Sequence, residues 1–269
     1  MNKKVIKLMS LALLIGLLFV TVSCGGTDTS TQQDQEPQQT TQTELMVFTA
    51  ASLTDLVQEY AKNFEANNPG VTVKVNAAGT QQLRTQLEQG ATADIFLSAN
   101  PDHIMSLREK NLTEEPVTLA HNAIVLIVSD QSDFQPASLA DLTVPHRMVL
   151  ANEEVPVGKY SLQVLKNLNA LFGPEYSEKV LQNVVSKETN VRQVLTKVSL
   201  GEADCGMVYA TDAKIGENIK VVGIPEEYNV VTDYLGAVVT ESPQPELAQS
   251  FLDGLKNDKV LWEKYGFNV

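Results

Sequence analysis

The 269-residue sequence predicts an α/β fold built on a mainly parallel sheet, on three observations. Strand-patterned and helix-patterned segments alternate from about Glu44 onward. The strand-to-helix junctions in both halves are turns of small or unhindered residues: Ala51-Ser52, Gly79-Thr80, Pro156-Val157-Gly158 and Thr189-Asn190-Val191. Hydrophobic residues make up 43% of the chain, enough for a core in one or two domains.

The first half opens with Leu45 to Thr49, a short apolar run suited to a buried strand. After the turn Ala50-Ala51-Ser52, the residues Leu53, Leu56, Val57, Tyr60, Ala61 and Phe64 mark one helix face. Ser52 is placed to cap that helix, with Asp55 completing a capping-box-like pair. Asn67-Asn68-Pro69-Gly70 stops it. Val71, Val73 and Val75 alternate as a second strand, and Ala77-Ala78-Gly79-Thr80 turns the chain. Gln81 to Gln89 reads as a short helix with Leu83 and Leu87 on one face, ended by Gly90. Ala93 to Ser98 is a third strand, and Asn100-Pro101-Asp102 opens a helix to about Lys110. This order is the mark of parallel strands with right-handed crossovers.

In the second half, Ala123 to Ser129 is a buried strand placed to leave a first lobe. Leu139 to Leu142 is a short helical turn and Arg147 to Ala151 a strand. Val155-Pro156-Val157-Gly158 turns into a helix from about Lys159 to Leu171. Glu175 to Gln182 is a further helix. Asn183 to Ser186 is a short strand, and Lys187-Glu188-Thr189 turns the chain. Val191, Val194, Leu195 and Val198 form a helix face, with Gly201 as its stop. Cys205 to Tyr209 and Val221 to Ile224 are strands, and Tyr234 to Thr240 is placed to return to the first lobe. Pro245 to Lys256 and Val260 to Tyr265 are closing helices. No repeat of fixed period is seen.

The N-terminus reads as a targeting segment. Lys3, Lys4 and Lys7 precede an apolar stretch, Leu8 to Val22, that is short for a membrane span. Thr21-Val22-Ser23-Cys24-Gly25 resembles a bacterial lipobox, with Thr21 where Leu is usual; a plain signal peptide is the alternative. On the lipobox reading, residues 1–23 are removed and Cys24 becomes the lipidated anchor to the membrane. Residues 24–43 are polar and unable to bury a core, as expected of a disordered tether. The formal charge of −13 becomes −16 without the three leader lysines. With Cys24 lipidated, Cys205 has no partner, so no disulfide is expected and Cys205 reads as an inert buried thiol.

Composition and motifs exclude several classes. An acidic chain without a basic block argues against nucleic acid. No P-loop, dinucleotide fingerprint or G-x-S-x-G motif is present. His103, His121 and His146 are too scattered for a metal cluster. Asp204 and Asp212 read as turn and cap residues, and Arg192 as a structural salt bridge. The chemistry-bearing feature is the set of four small-residue turns. In an open α/β sheet such turns cluster outside the carboxyl ends of the strands, where ligands bind. A helix N-terminus leaves free N–H groups there, and Ser52 and Thr80 add hydroxyl donors. Each hydrogen bond to a charged group contributes roughly 1.5–3 kcal/mol, so a few would hold a dianion without Lys or Arg.

Five segments carry a resemblance: VFTAASLTDL, GTQQLRTQLEQGATADIFLSA, VPVGKYSLQVL, ETNVRQVLTKVSLGEADCGMVYATDA and YLGAVV. In order and spacing they resemble the molybdate-binding proteins (ModA family) of bacterial ABC importers, from about Leu45 onward. The resemblance implies a two-lobed periplasmic-binding-protein-like fold of type II. Each lobe is a mixed, mainly parallel sheet flanked by helices, and two crossing strands form the hinge. The expected division is 44–121 with 234–269 as lobe I and 122–233 as lobe II. It also implies a ligand set: Ser52 through hydroxyl and N–H, Thr80 through its hydroxyl where the family usually has Ser, Val157 and Val191 through N–H, and Tyr209 through its phenol. On residue type alone, Tyr209 reads as a core tyrosine with a satisfied hydroxyl.

The implied function is capture of molybdate or tungstate and delivery to a membrane permease with separate ATPase subunits. No catalysis, cofactor or protein-bound metal cation is implied; molybdenum arrives as an oxyanion. The implied location is the extracytoplasmic face of the cell envelope, and a monomer suffices. A site made only of donors suits a fully deprotonated tetrahedral anion, so sulfate is the alternative ligand. An enzyme on a similar scaffold is the less favoured reading.

Overall fold

The computed structural model describes residues 42–269; the predicted leader, Cys24 and nearly all of the predicted tether lie outside them. β1 (Thr43–Ala50) covers the predicted first strand and begins at Thr43, whose N–H donates to Gly70 C=O at 2.8 Å. β2 (Val71–Ala78) and β3 (Ile95–Ser98) flank it, both parallel to it. Their crossovers are α1 (Thr54–Asn67) and α2 (Thr80–Glu88); α3 (Pro101–Glu109) follows β3. Asn100 caps α3 as predicted, its side chain accepting from the Asp102 N–H at 2.6 Å.

β4 (Val117–Ser129) is the long strand of the molecule. It starts six residues before the predicted Ala123: Thr118, His121 and Asn122 interrupt the apolar pattern there, while Leu119 and Ala120 are buried in the core and the segment pairs with the last strand of the chain. Val117 to Ala123 lie antiparallel to β9 (Val231–Val238), and Ile124 to Ser129 antiparallel to β7 (Cys205–Tyr209) and β8 (Ile219–Val222). β9 also pairs with β3. The same two strands, β4 and β9, thus tie one half of the molecule to the other. In the second half, β5 (Met148–Ala151) lies parallel to β6 (Val184–Glu188) and β7. The full order is β2-β1-β3-β9-β4-β7-β5-β6, with β8 on β4.

Helices α4 (Pro156–Phe172), α5 (Tyr176–Leu181), α6 (Val191–Ser199) and α7 (Ala210–Ile215) cover the second half. α8 (Pro245–Asn257) and α9 (Lys259–Lys264) pack back on the first. One apolar cluster runs through both halves. A second, with Phe48, Leu83, Phe96 and Ile104, fills the other face of the first sheet.

Several boundaries differ from expectation for local reasons. Ser52 does not cap α1: Ala51–Leu53 form a single 3₁₀ turn, Leu53 occupies the cap position, and no side-chain cap bond forms. α4 starts at Pro156, three residues before Lys159, since proline fits the first helical position without loss of a needed N–H. β6 continues to Glu188 because Ala151 pairs with it. β8 and β9 begin earlier than Val221 and Tyr234, and α7 was not foreseen. Gly90 and Gly201 end their helices with φ of +87° and +70°, the left-handed geometry a glycine stop requires.

Candidate functional site

Four helix starts converge on one cleft. The 3₁₀ turn before α1 and the start of α2 face the starts of α4 and α6. Ser52, Thr80, Val157, Val191 and Tyr209 all line this cleft, together with Gly79, Ala99 and Asn190 among others. No charged side chain lines it. All five predicted residues are buried.

The backbone explains the donors. Pro156 is the first residue of α4 and has no N–H, so Val157 supplies the first free amide of that helix. Asn190 caps α6 by accepting from the Gln193 N–H at 3.0 Å, which leaves the Val191 N–H without an intrahelical acceptor. Gly79 C=O takes the N–H groups of Gln82 and Leu83, leaving Thr80 at the open end of α2. The N-terminal partial charges of these helices add to make the cleft favourable to an anion despite the negative net charge.

The side-chain donors are held from behind. The Ser52 hydroxyl lies 2.9 Å from the Tyr234 hydroxyl. The Thr80 hydroxyl accepts from the Ala99 N–H at 3.4 Å. Tyr209 directs its O–H toward the Ala99 C=O at 3.5 Å, and Thr232 donates to the same carbonyl at 3.3 Å. An anion therefore competes with Ala99 for the Tyr209 proton, and the length of that bond makes the competitor weak. Burial holds the phenols of Tyr209 and Tyr234 well above the ordinary tyrosine value, so both are neutral hydroxyls.

Arg192 does not enter the cleft. Its guanidinium lies 2.7 Å from Asp55 on α1 and 2.8 Å from Asp212 on α7, the structural pairing expected of it. The approach is not along its N–H bonds, so these are charge contacts rather than well-formed hydrogen bonds. Asp212 is not the cap residue predicted. It is fully buried, neither oxygen has a hydrogen-bond partner, and burial pushes its pKa up to about 7 against the pull of Arg192. Asp204 is the anchor of a turn, accepting from Arg147 and Ser132. Cys205 is a buried free thiol whose pKa burial pushes up.

The halves touch across the cleft. Gln81 donates to the Thr189 C=O at 2.9 Å, Asn100 donates to the Tyr160 hydroxyl at 2.8 Å, and Lys159 pairs with Asp102. A Cβ at Gly79 would stand 2.5 Å from the Thr189 carbonyl oxygen, on the facing half. Gly79→Ala is thus expected to hold the halves apart. Ligand affinity falls about tenfold or more while the melting temperature of the ligand-free protein stays within about a degree. Calorimetric titration and thermal melting check both; unchanged affinity would mean that this contact does not limit closure.

Sequence reasoning missed Tyr234 and Asn122 behind the cleft. Asn122, a polar residue immediately before the apolar run Ala123–Ser129, was the available signal. Tyr234 gave none, since a tyrosine in a strand is ordinary.

A family model described as bacterial extracellular solute-binding protein matches residues 45–268. The molybdate-binding protein ModA of Mycobacterium tuberculosis H37Rv is 36% identical over 211 residues, 77% of each chain. A putative ABC transporter substrate-binding lipoprotein of Bacillus subtilis, YvgL, is 30% identical over 96% of each chain. Among solved structures, the periplasmic molybdate-binding protein of Azotobacter vinelandii superposes with a TM-score of 0.71 at 19% identity, covering 84% of this chain and 99% of that one. The sulfate-binding protein SubI of M. tuberculosis H37Rv superposes with a TM-score of 0.73 at 14% identity, covering 84% and 86%. At those identities the superpositions show the fold alone, and the fold does not choose between the two anions.

Proposed function

We propose, from the premise that the chain belongs to the bacterial extracellular solute-binding proteins and within them to the molybdate-binding ModA family, that it captures molybdate between its two lobes for an ABC importer. The observation that carries the reading is the cleft itself. Five donors from four helix starts and β7 meet there with no charged side chain among them. Ser52 and Thr80 give hydroxyls, Val157 and Val191 give N–H groups, and Tyr209 gives its phenol. Such a set binds a fully deprotonated tetrahedral oxyanion and offers a protonated one no acceptor. Tungstate, of the same charge and shape, is taken as well.

Residues 44–121 with 234–269 form lobe I and 122–233 lobe II, with β4 and β9 as the crossing strands. Binding favours the closed state because the ligand bridges donors from both lobes. The protein works as a monomer on the extracytoplasmic face of the membrane, held by lipid on Cys24. The likeness to a B. subtilis lipoprotein supports the anchor. It binds and releases its ligand unchanged; its relatives are named as binding proteins rather than enzymes.

The test is calorimetric titration of the purified protein with molybdate, tungstate, sulfate and hydrogen phosphate at one pH. One-to-one binding of molybdate and tungstate, with sulfate far weaker, is expected. Ser52→Ala is expected to weaken molybdate about tenfold to a hundredfold, the loss of one hydrogen bond to a charged group. Sulfate binding as tightly as molybdate would favour the sulfate reading, which the SubI superposition keeps in view.

A further inference from the structure

We infer that Asn122 and Tyr234, neither of which lines the cleft, fix the hydrogen-bond polarity of the site by holding Ser52 as an obligate donor. The inference rests on the oxyanion reading above and assigns a selectivity role to two positioning residues.

The argument starts at Asn122, which is buried on β4. Its Oδ1 accepts from the Ala123 N–H at 3.0 Å, and that bond settles which way the amide points. Nδ2 then faces the Thr211 hydroxyl at 2.8 Å and the Tyr234 hydroxyl at 3.4 Å. An amide nitrogen carries two hydrogens and accepts none, so it donates to both. Tyr234 Oη therefore receives a hydrogen bond from Asn122. Either oxygen could donate across the 2.9 Å contact between Tyr234 and Ser52; because Tyr234 is fully buried its proton needs a protein acceptor, and we assign that proton to the Ser52 hydroxyl. With the Tyr234 proton on that line, Ser52 accepts there and its own O–H points into the cleft.

The consequence is a rule for the ligand. The oxygen facing Ser52 must be bare, because a protonated oxygen there would set two O–H groups against each other. Thr80 is held in the same sense by the Ala99 N–H behind it. Both side-chain hydroxyls are thus turned outward: Thr80 by an amide that cannot reverse, and Ser52 by a phenol whose direction Asn122 sets. Backbone amides are donors by nature, but a hydroxyl is not; the relay removes that freedom.

Asn122→Asp reverses the relay without changing its shape. A carboxylate at 122 accepts from Tyr234, Tyr234 then accepts from Ser52, and Ser52 presents a lone pair to the cleft. Sulfate and hydrogen phosphate are both dianions at about pH 8, so the added charge weakens both alike. Their ratio isolates polarity. In Asn122→Asp the affinity for hydrogen phosphate relative to sulfate is expected to rise about tenfold or more. Adding Tyr234→Phe to that variant breaks the relay and is expected to cancel the gain, which a general loosening of the fold would not do. Tyr234→Phe alone is expected to keep a cooperative melt and to weaken molybdate about threefold to tenfold, through loss of the donor that polarises Ser52.

An unchanged phosphate-to-sulfate ratio in an Asn122→Asp protein that still binds molybdate overturns the inference. If that variant does not fold, Tyr234→Phe decides: wild-type molybdate affinity overturns it and the expected loss supports it. Wild-type protein that binds none of these anions sinks the oxyanion reading itself, a failure visible before any variant is made.

Discussion

Gly158→Ala is expected to weaken oxyanion binding by about a hundredfold and to lower stability by roughly 1–3 kcal/mol. Gly158 is the third residue of α4, directly after Val157. A Cβ there would overlap the carbonyl oxygen of Asn152 and lie 2.6 Å from that of Ala151. Both obstacles are main chain at the end of β5, so no rotamer change clears them. The helix start has to lift away from the sheet, and the Val157 N–H moves with it. Hydrogen bonds weaken steeply with distance and angle, and one displaced helix end takes its partial charge out of the cleft as well. Gly70→Ala is the control: its φ of +92° makes substitution strained, yet no atom lies within 4 Å of the new Cβ and the site is remote. Titration and melting of both variants check the claim. Gly158→Ala with affinity within about threefold of wild type would show that the position of α4 is not part of the site.

Stability is expected to carry a component that falls as pH rises from about 4 to about 7, and Asp212→Asn is expected to remove it. Asp212 is buried with Arg192 Nε 2.8 Å from one oxygen but off the hydrogen-bonding direction, and burial pushes its pKa up to about 7 against the pull of that guanidinium. Desolvation dominates because Arg192 is shared with Asp55 and does not aim its N–H groups at the carboxylate. In the unfolded chain the same group ionises near the ordinary aspartate value. Between the two values the folded state holds one more proton than the unfolded state. The stabilisation is fully present below the unfolded pKa and is lost as pH climbs through the folded one, at up to about 1.4 kcal/mol per pH unit. His103 and His146 work in the opposite sense, since burial lowers both; their contribution is lost as pH falls below the ordinary histidine value. The informative quantity is therefore the difference between wild type and Asp212→Asn in denaturant unfolding at about pH 5, 6, 7 and 8. Wild type should lose ground to the variant up to about pH 7 and then hold level. A difference that is flat, or that runs the other way, would mean that Asp212 is ionised in the folded state throughout this range.

What the sequence determined by itself is the local grammar. Periodicity marked the buried face of α1 through Leu56, Val57, Tyr60, Ala61 and Phe64, all of which are buried. Turn chemistry found the Asn100 cap and the glycine stops at Gly90 and Gly201. These are signals within a few residues, where backbone sterics and side-chain reach act directly. The meeting of Ser52, Thr80, Val157, Val191 and Tyr209 came from likeness to a family. No periodicity carries it, because it depends on how two half-sheets are hung on β4 and β9. Only the tertiary structure decided the partners of the chemistry-bearing groups. Ser52 is an open cap by its sequence and a partner of Tyr234, 182 residues on, by its register. Asp212 is a cap by its sequence and a buried, unbonded acid once α6 and α7 pack against α1. Hydroxyl direction and carboxylate charge are set by which donors and how much water stand beside a group. Those neighbours come from distant chain brought close by strand pairing, so the polarity of the site is a property of the fold.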